Sequence, residues 1–321
     1  MAEMKEVAPN IYLLKIPVPL RVRNINAYIF RGQKPTLIDT GTNTPGVYEM
    51  IQTALKRLEI KHVEQVILTH WHVDHSGIAR QFAEQGARVL IGLKDYTKWK
   101  KFVEGKGGDL YRDWALKEWE VPSDQLIERM NKAYGNPRQK MTTLPDHIDE
   151  IIPMEMLPAG DYQLQAIPTP GHTEGHFAFF ENEGKKLFTG DMLLPDMISY
   201  PDIWREEGKF TSGLVSHLQS LDIMEKLDAN AYFPSHGEPQ LDPALRCQET
   251  RNEIHKQAVQ YDPTRSVFEN AVRLNHGTEN LAGLFMRLHY VYGWKKIFEQ
   301  TQKDIDAQNV GQVAALKNTG R

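Results

Sequence analysis

One cysteine, Cys247, is all that 321 residues provide. An internal disulfide is therefore excluded, and the chain suits a reducing compartment. The same scarcity means that any metal ion held here is held by histidines and carboxylates. No uncharged apolar run approaches the length of a bilayer-crossing helix, about 18 residues, and the opening MAEMKEVAPNIYLLKIPVP has no apolar stretch of export-signal length. The expectation is a cytoplasmic protein without a membrane partner. Charge of one sign is not in excess either. The 38 Lys and Arg stand against 42 Asp and Glu, a formal net charge of -4, which gives no electrostatic reason to expect nucleic acid as a partner. What remains, 40% hydrophobic and 25% charged residues, suits one large domain with a smaller one, or one domain enlarged by insertions.

Strand-like alternation fills NIYLLKIPV, NINAYIF and PTLIDTG, the last two joined through RGQKP. A helix is expected from Pro45 to Leu58, then a buried strand in HVEQVILTH, a helix in SGIARQFAEQG that stops at Gly86, and a strand in ARVLIG. Such alternation argues for an α/β architecture. From about Lys94 to Glu150 apolar residues recur at helical spacing, and Trp99, Trp114 and Trp119 fall together. A helical insertion is expected there, with Leu126, Ile127, Met130 and Tyr134 on one helix face, Ser123 as N-cap and Gly135 as stop. Its aromatic residues either pack it onto the body or make it a lid over a substrate pocket. Short strands follow in DYQLQAIPTPG, HFAFFE and KKLFTG, then a helix from Thr211 to Leu227 and a last strand and turn in ANAYFPSHG. Beyond Pro243 the pattern is helical with one break, at LNHGTE, and carries 11 Lys and Arg against 8 Asp and Glu from Leu245 on. The expected division is a catalytic domain over residues 1–243, with the insertion at about 94–150, and a helical domain over 244–321.

Chemistry concentrates in THWHVDHSG, where His70, His72, Asp74 and His75 fall within six consecutive positions. No packing pattern calls for that. Four other apolar runs end in a tight turn bearing a ligand-type residue: His172 in PTPGHTEGH, Asp191 in LFTGDML, His236 in YFPSHGEP and Asp39 in TLIDTG. Strand ends are where α/β proteins place ligands and catalytic groups. At a strand end, side chains at i and i+2 point the same way, so His70 and His72 grip one ion, with His172 as the third ligand. Asp74 and His75 are displaced from that ion and face a second with His236, while Asp191 bridges. Each set approaches the three protein ligands and open position of a catalytic zinc. Two divalent ions are expected, zinc first because the ligands are rich in histidine, with Mn or Fe able to fill the same site. Of the other histidines, His62, His147, His217, His255, His276 and His289 read as surface or satisfied core residues. His176 reads as a support behind the ligands.

HWHVDH, PGHTEGH, TGDM and PSHGEP, in that order and with LIDTG upstream, resemble the motifs of the metallo-β-lactamase-fold hydrolase superfamily. The resemblance covers about Asn10 to Glu238 and implies a four-layer αββα sandwich with the metals at one edge of paired sheets. It implies the same division of ligands, and makes Asp39 a buried acid behind them; the five-motif context sets aside an aspartic protease reading of its DTG triplet. GDMLLPDMISYPDIW, LVSHLQSLDIMEKL and the tail look like the subgroup with a small winged-helix-like C-terminal extension. Equally, the tail reads as a helical element that packs on the body or forms a homodimer contact. One departure is Glu174, where many relatives carry Pro.

The mechanism implied by the resemblance has two ions about 3.5 to 4 Å apart sharing a water whose pKa falls to near 7. Asp74, the catalytic residue, ligates and orients the resulting hydroxide and passes its proton onward. The expected activity is cleavage of an ester, thioester, lactone or related bond of a small molecule. Trp71, Tyr200 and Trp204 are expected to line the substrate pocket, with packing as the competing role. Two other activities of the fold stay open: an iron-dependent persulfide dioxygenase, which keeps the histidines, and a ribonuclease, against which the net charge speaks. His72 argues against the flavodiiron branch, which has Glu there.

Overall fold

The computed structural model describes residues 3–19, 24–105, 114–134, 144–206 and 209–318. A first sheet runs in chain order through β1 (Glu3–Ala8), β2 (Ile11–Pro17), β3 (Asn24–Phe30), β4 (Thr36–Ile38), β5 (Gln65–Ile67), β6 (Arg88–Ile91) and β7 (Asp149–Glu150). Pairing is antiparallel up to β4 and parallel from β4 to β7. The switch to parallel pairing requires crossovers, and these are α1 (Val47–Arg57), α2 (Val73–Ser76) with α3 (Ala79–Ala83), and the segment after β6. That segment holds α4 (Leu93–Val103), a π-helical turn (Trp114–Glu118) and α5 (Asp124–Tyr134). Next come β8 (Met156–Ala159), β9 (Tyr162–Pro168), β10 (Phe177–Glu181), β11 (Lys186–Gly190) and a separate hairpin of β12 (Ile203–Glu206) and β13 (Lys209–Ser212). After α6 (Leu214–Glu225), β14 (Ala231–Pro234) and β15 (Gln240–Leu241) complete a second sheet of order β15-β14-β11-β10-β9-β8. The tail is α7 (Pro243–Ala258), α8 (Val267–Leu274) and α9 (Leu281–Asn318).

Period-2 alternation distributes the apolar residues over four layers. In β2, Ile11 and Leu13 join Phe179 and Phe188 between the sheets, while Leu14 and Ile16 meet Ile51, Leu55 and Phe82 on the first sheet's helix side. In β10, Phe177 and Phe179 point into the gap, whereas Ala178 and Phe180 join Leu214, Leu221 and Met224 of α6 outside. Phe188 stacks on Phe233 at 4.9 Å and meets the Tyr28 ring edge-on at 5.1 Å, which ties the two sheets together. Each such ring, once buried, contributes about 1.5–3 kcal/mol. The αββα sandwich expected from the motifs is therefore the observed architecture.

Three local expectations are corrected. The helix expected from Thr211 starts at Leu214, because Lys209–Ser212 pairs with Ile203–Glu206 in the hairpin. The helix expected in SGIARQFAEQG is two pieces, since Ile78, at φ -120°, leaves helical geometry between them. The tail breaks twice. Asp262 accepts hydrogen bonds from the Thr264 amide (3.0 Å) and hydroxyl (2.6 Å), Pro263 follows it, and Ser266 with Glu269 then forms a reciprocal capping box that starts α8. Such local side-chain bonds compete with helix and win there.

Part of the insertion and the tail share the outer face of the second sheet. Trp119, Val121 and Ile127 of the insertion share a core with Cys247, Ile254, Val267, Leu284 and Leu288 of the tail and with Leu187 and Tyr232 of the second sheet. The Trp119 carbonyl accepts from the Phe268 amide at 2.9 Å, and the Tyr292 hydroxyl donates to Glu118 at 3.1 Å. Trp99 packs instead on the first sheet's helices. Ser123 accepts from the Leu126 amide at 3.3 Å, as an N-cap does. The side chains of Trp114, Met130 and Tyr134, and Gly135 as a whole, lie outside the described residues. Among those residues no strand follows Leu241, so the tail is purely helical there, and no helix is long and apolar enough to cross a membrane.

Candidate metal centre

Five strands deliver the sequence-predicted residues from their C-terminal ends: β4 leads to Asp39, β5 to His70–His75, β9 to His172, β11 to Asp191 and β14 to His236. The structure brings them all together. Nε2 of His70 and Nε2 of His172 each lie 3.0 Å from Nδ1 of His72, three ring nitrogens converging on one point. Nε2 of His236 lies 3.5 Å from Oδ2 of Asp74, and Nε2 of His75 lies 3.9 Å from Oδ1 of Asp74. Asp191 stands between the two groups. Its Oδ2 is 3.4 Å from His172, and its Oδ1 is 3.4 Å from His236 and 3.5 Å from His75.

The far nitrogens of His70, His75, His172 and His236 are fixed from behind, which settles which nitrogen of each points inward. His75 Nδ1 lies 2.8 Å from Oδ2 of Asp39, His172 Nδ1 is 3.1 Å from the Tyr200 carbonyl, and His236 Nδ1 is 2.6 Å from the Asn24 carbonyl. His70 Nδ1 meets the Thr69 hydroxyl at 3.0 Å. Asp39 is fully buried, sits at φ 59° and contributes no atom to either group. Its carboxylate accepts from the Thr69 amide and hydroxyl, both at 2.9 Å, and from Ser235 at 3.2 Å.

His176 has no nitrogen left for an ion: Nδ1 pairs with the Thr169 hydroxyl at 2.8 Å, and Nε2 accepts from the Asp191 amide at 3.2 Å. Gly190 makes that approach feasible. At φ 53°, a Cβ there would stand 2.5 Å from His176 Nε2, which accounts for glycine before the bridging aspartate.

Electrostatics separates the two groups. Burial, followed by the neighbouring imidazoles, holds His70 and His72 well below the usual histidine value, and burial lowers His172 as well. These three are neutral and offer lone pairs. Burial also pushes His75 and His236 down, but the carboxylates of Asp39, Asp191 and Asp74 outweigh it at His75, and those of Asp191 and Asp74 at His236, so both are raised. Burial raises Asp191, yet His236 and His75 hold it well below the carboxylate range. The second group thus concentrates negative charge that protons now balance and a cation would balance better.

The donor set fits divalent ions on two structural grounds. Ligand atoms of His70, His72 and His172 lie within 4.8 Å of one another, as do those of Asp74, His75 and His236 and of His70, His75 and Asp191. In addition, His75 Nε2 and Asp191 Oδ1, fully buried and aimed at the centre, meet no hydrogen-bond partner among the described residues. Buried polar atoms left in that way cost about 1–3 kcal/mol each unless something binds them. Nitrogen and carboxylate donors together suit zinc, manganese and iron alike.

The expected pocket residues separate. The Tyr200 ring stacks near His72 at 6.3 Å and meets His172 at 5.1 Å, while Trp71 lies 5.1 Å from His72 and 5.1 Å from Phe102. Trp204 sits in β12 with its ring edge against Gly213. Sequence reasoning missed Phe285 and His289 of α9, whose rings lie 5.8 and 5.0 Å from Tyr200, because their spacing reads as ordinary helix core. It also missed Asp95, whose buried carboxyl accepts from Trp71 and Thr173 beside the ligands. Burial, against those hydrogen bonds, pushes Asp95 up to about 7. His62, His147, His255 and His276 are exposed, and His289 is a satisfied core residue through the Phe285 carbonyl at 2.9 Å. His217 is buried but neither ring nitrogen finds a partner among the described residues, and burial drops it to about 3.

An αββα sandwich with a five-loop cluster of His and Asp at its strand ends defines a class of metal-binding protein. The chain belongs to the metallo-beta-lactamase superfamily, whose family model matches residues 20–236. It is similar to the probable metallo-hydrolase YqjP of Bacillus subtilis, 28% identical over 245 residues that make up 72% of each chain. It is also similar to the atrochrysone carboxyl ACP thioesterase of Aspergillus fumigatus, 24% identical over 69% of this chain and about half (53%) of that protein. Among solved structures, the metallo-beta-lactamase family protein TTHA1429 of Thermus thermophilus superposes with a TM-score of 0.76 at 23% identity, covering 91% of this chain and 95% of that one.

Proposed function

We propose that the protein is a metal-dependent hydrolase that cleaves an ester, thioester or lactone bond of a small molecule. The observation that carries this reading is the bridging position of Asp191, with one carboxylate oxygen toward each of two groups of donors. His70, His72 and His172 would hold one ion, and Asp74, His75 and His236 the other. Ions held there would supply Lewis acidity, toward a carbonyl oxygen and toward water, whose pKa they would lower to near 7. Asp74, 7% exposed, faces the water that attacks and receives its proton at the carboxylate. Asp39, Thr69 and the Tyr200 and Asn24 carbonyls keep the imidazoles aimed, so no reorganisation is needed during the reaction. The ACP thioesterase relative puts thioesters at the head of the substrate classes.

Tyr200 and Trp71 flank His72 on the side where it is half-buried, and there they orient the substrate and exclude water. Phe285 and His289 of α9 support the Tyr200 ring from behind. In this reading residues 1–243 form the catalytic unit, and the helices of 244–321 back the site through Phe285 and His289 against Tyr200 and through the Tyr290 hydroxyl, which donates to the Ser199 carbonyl at 2.7 Å. The formal net charge of -4 speaks against nucleic acid as a partner, and the helical tail offers a homodimer contact. Tyr200→Ala is expected to raise KM about 10-fold for an apolar acyl substrate, the loss of roughly one buried ring contact, while metal content stays constant. Equal KM values for bulky and acetyl substrates in wild type and variant would remove Tyr200 from the pocket.

The deciding experiment is a panel of thioester, lactone, carboxylic ester, phosphodiester and β-lactam substrates, assayed on protein of measured metal content. Turnover of the first three, in proportion to metal, supports the reading. A single iron per chain with oxygen uptake on a persulfide, or salt-sensitive cleavage of RNA, replaces it.

A further inference from the structure

Asp95 lies in the first turn of α4, where an acid ordinarily accepts hydrogen bonds from the free amides of its own helix. It does not do so here: α4 has no side-chain cap. Both carboxylate oxygens are turned instead to two other loops. Oδ2 accepts from the Trp71 amide at 3.1 Å and the Thr173 hydroxyl at 2.7 Å, and Oδ1 accepts from the Gly175 amide at 2.7 Å. Trp71 stands between His70 and His72, and Thr173 directly follows His172. The group is fully buried. The fit leaves no slack, because a Cβ at Gly175 would fall 2.5 Å from the Asp95 nitrogen. One turn further on, Lys98 of the same helix pairs with Asp202, two residues beyond Tyr200.

A three-histidine centre assembled from two separate loops depends on the distance between those loops. Thr69 and Phe177 join the loops' outer ends, through the Phe177 amide donating to the Thr69 carbonyl at 2.9 Å. The two loops also meet through the His72 and His172 rings, 3.0 Å apart at their nitrogens, and among the described residues the Asp95 carboxylate is the support behind those rings that spans Trp71 and Thr173.

We propose that Asp95 is a positioning residue for the ion held by His70, His72 and His172, fixing the separation of the two loops that supply them. The role rests on the metal reading above and extends it, since Asp95 touches no ligand. Removing the carboxylate relaxes the loops and weakens zinc binding more than it weakens the fold.

The test compares wild type, Asp95→Asn and Thr173→Val, each stripped of metal and titrated with zinc against a chromophoric chelator, with thermal unfolding of the metal-free forms alongside. Asparagine keeps the shape but presents an NH2 where donors already point. The Asp95→Asn protein is expected to bind zinc about 10–100-fold more weakly, as is usual when a support behind metal ligands is lost. Thr173→Val, which deletes one of three bonds and leaves the carboxylate in place, is expected to weaken zinc by about 3–10-fold and keeps the test open if Asp95→Asn does not fold. Folded variants of lower metal-free stability whose zinc affinity stays within about twofold of wild type make Asp95 a plain structural staple and overturn the proposal. Wild type that takes up no divalent ion overturns the metal reading and this proposal together.

Discussion

Asp191→Ala is expected to lose bound metal and hydrolytic activity in one step. Among the described residues its carboxylate alone places oxygens within 3.5 Å of nitrogens in both donor groups, so its removal opens both. It also strips His75 and His236 of a charge that sustains their protonated forms, which weakens the second group's attraction for a cation. A fall in kcat/KM on the order of 10³-fold or more is expected, equivalent to about 4 kcal/mol of transition-state stabilisation. Elemental analysis beside steady-state kinetics checks both halves of the expectation. An Asp191→Ala protein with full metal content and wild-type turnover would falsify the bridging assignment.

Removal of metal from the wild type is expected to abolish activity and lower the thermal midpoint by several degrees. An ion that binds only the folded chain, at about 1,000 times its Kd, stabilises by about 4 kcal/mol. The pH dependence has a definite sign. In the metal-free protein His75 and His236 are raised above 6.5 by surrounding carboxylates. Their contribution to stability is therefore complete below 6.5 and disappears as pH rises through the raised values. Ions require the opposite, neutral imidazoles, and leave as pH falls. The difference in Tm between loaded and stripped protein should accordingly narrow from about pH 8 to about pH 5.5. Paired melting curves across that range decide it; a gap that stays constant or widens toward acid contradicts the assignment of His75 and His236 as ligands.

How far the site could be read without coordinates depended on where each residue's partners lie. The seven donors were legible because their types and spacing have no packing explanation, and because each follows an apolar strand that fixes its place in an α/β sheet. Asp39 was legible only through its motif. Asp95 was not legible at all: in LKDYTKW an aspartate in a first turn is ordinary, and its partners are two amides and a hydroxyl of loops distant in sequence, groups that leave no trace in residue identity. The first break of the tail, before Val267, was hidden for a related reason, whereas the break at LNHGTE was legible. Asp262, Pro263 and Ser266 were visible, but the apolar period resumes in phase soon after them, so helical continuity outweighed local turn chemistry. The β12–β13 hairpin was missed because four polar-rich residues a side give too short an alternation to outvote the neighbouring helix.

The common core of insertion and tail bears on how this scaffold can be re-engineered. Trp119 from one, Phe285 and His289 from the other, and Tyr200 between them and the donors touch ring to ring. A chimera that imports the 94–150 segment of a relative without its C-terminal helices inherits a foreign surface where Trp119 stood, and the Tyr200 ring loses its backing. Substitutions in the two segments are thus epistatic across more than 160 residues of sequence between Trp119 and Phe285, and libraries aimed at new substrates need to vary both segments in the same clone.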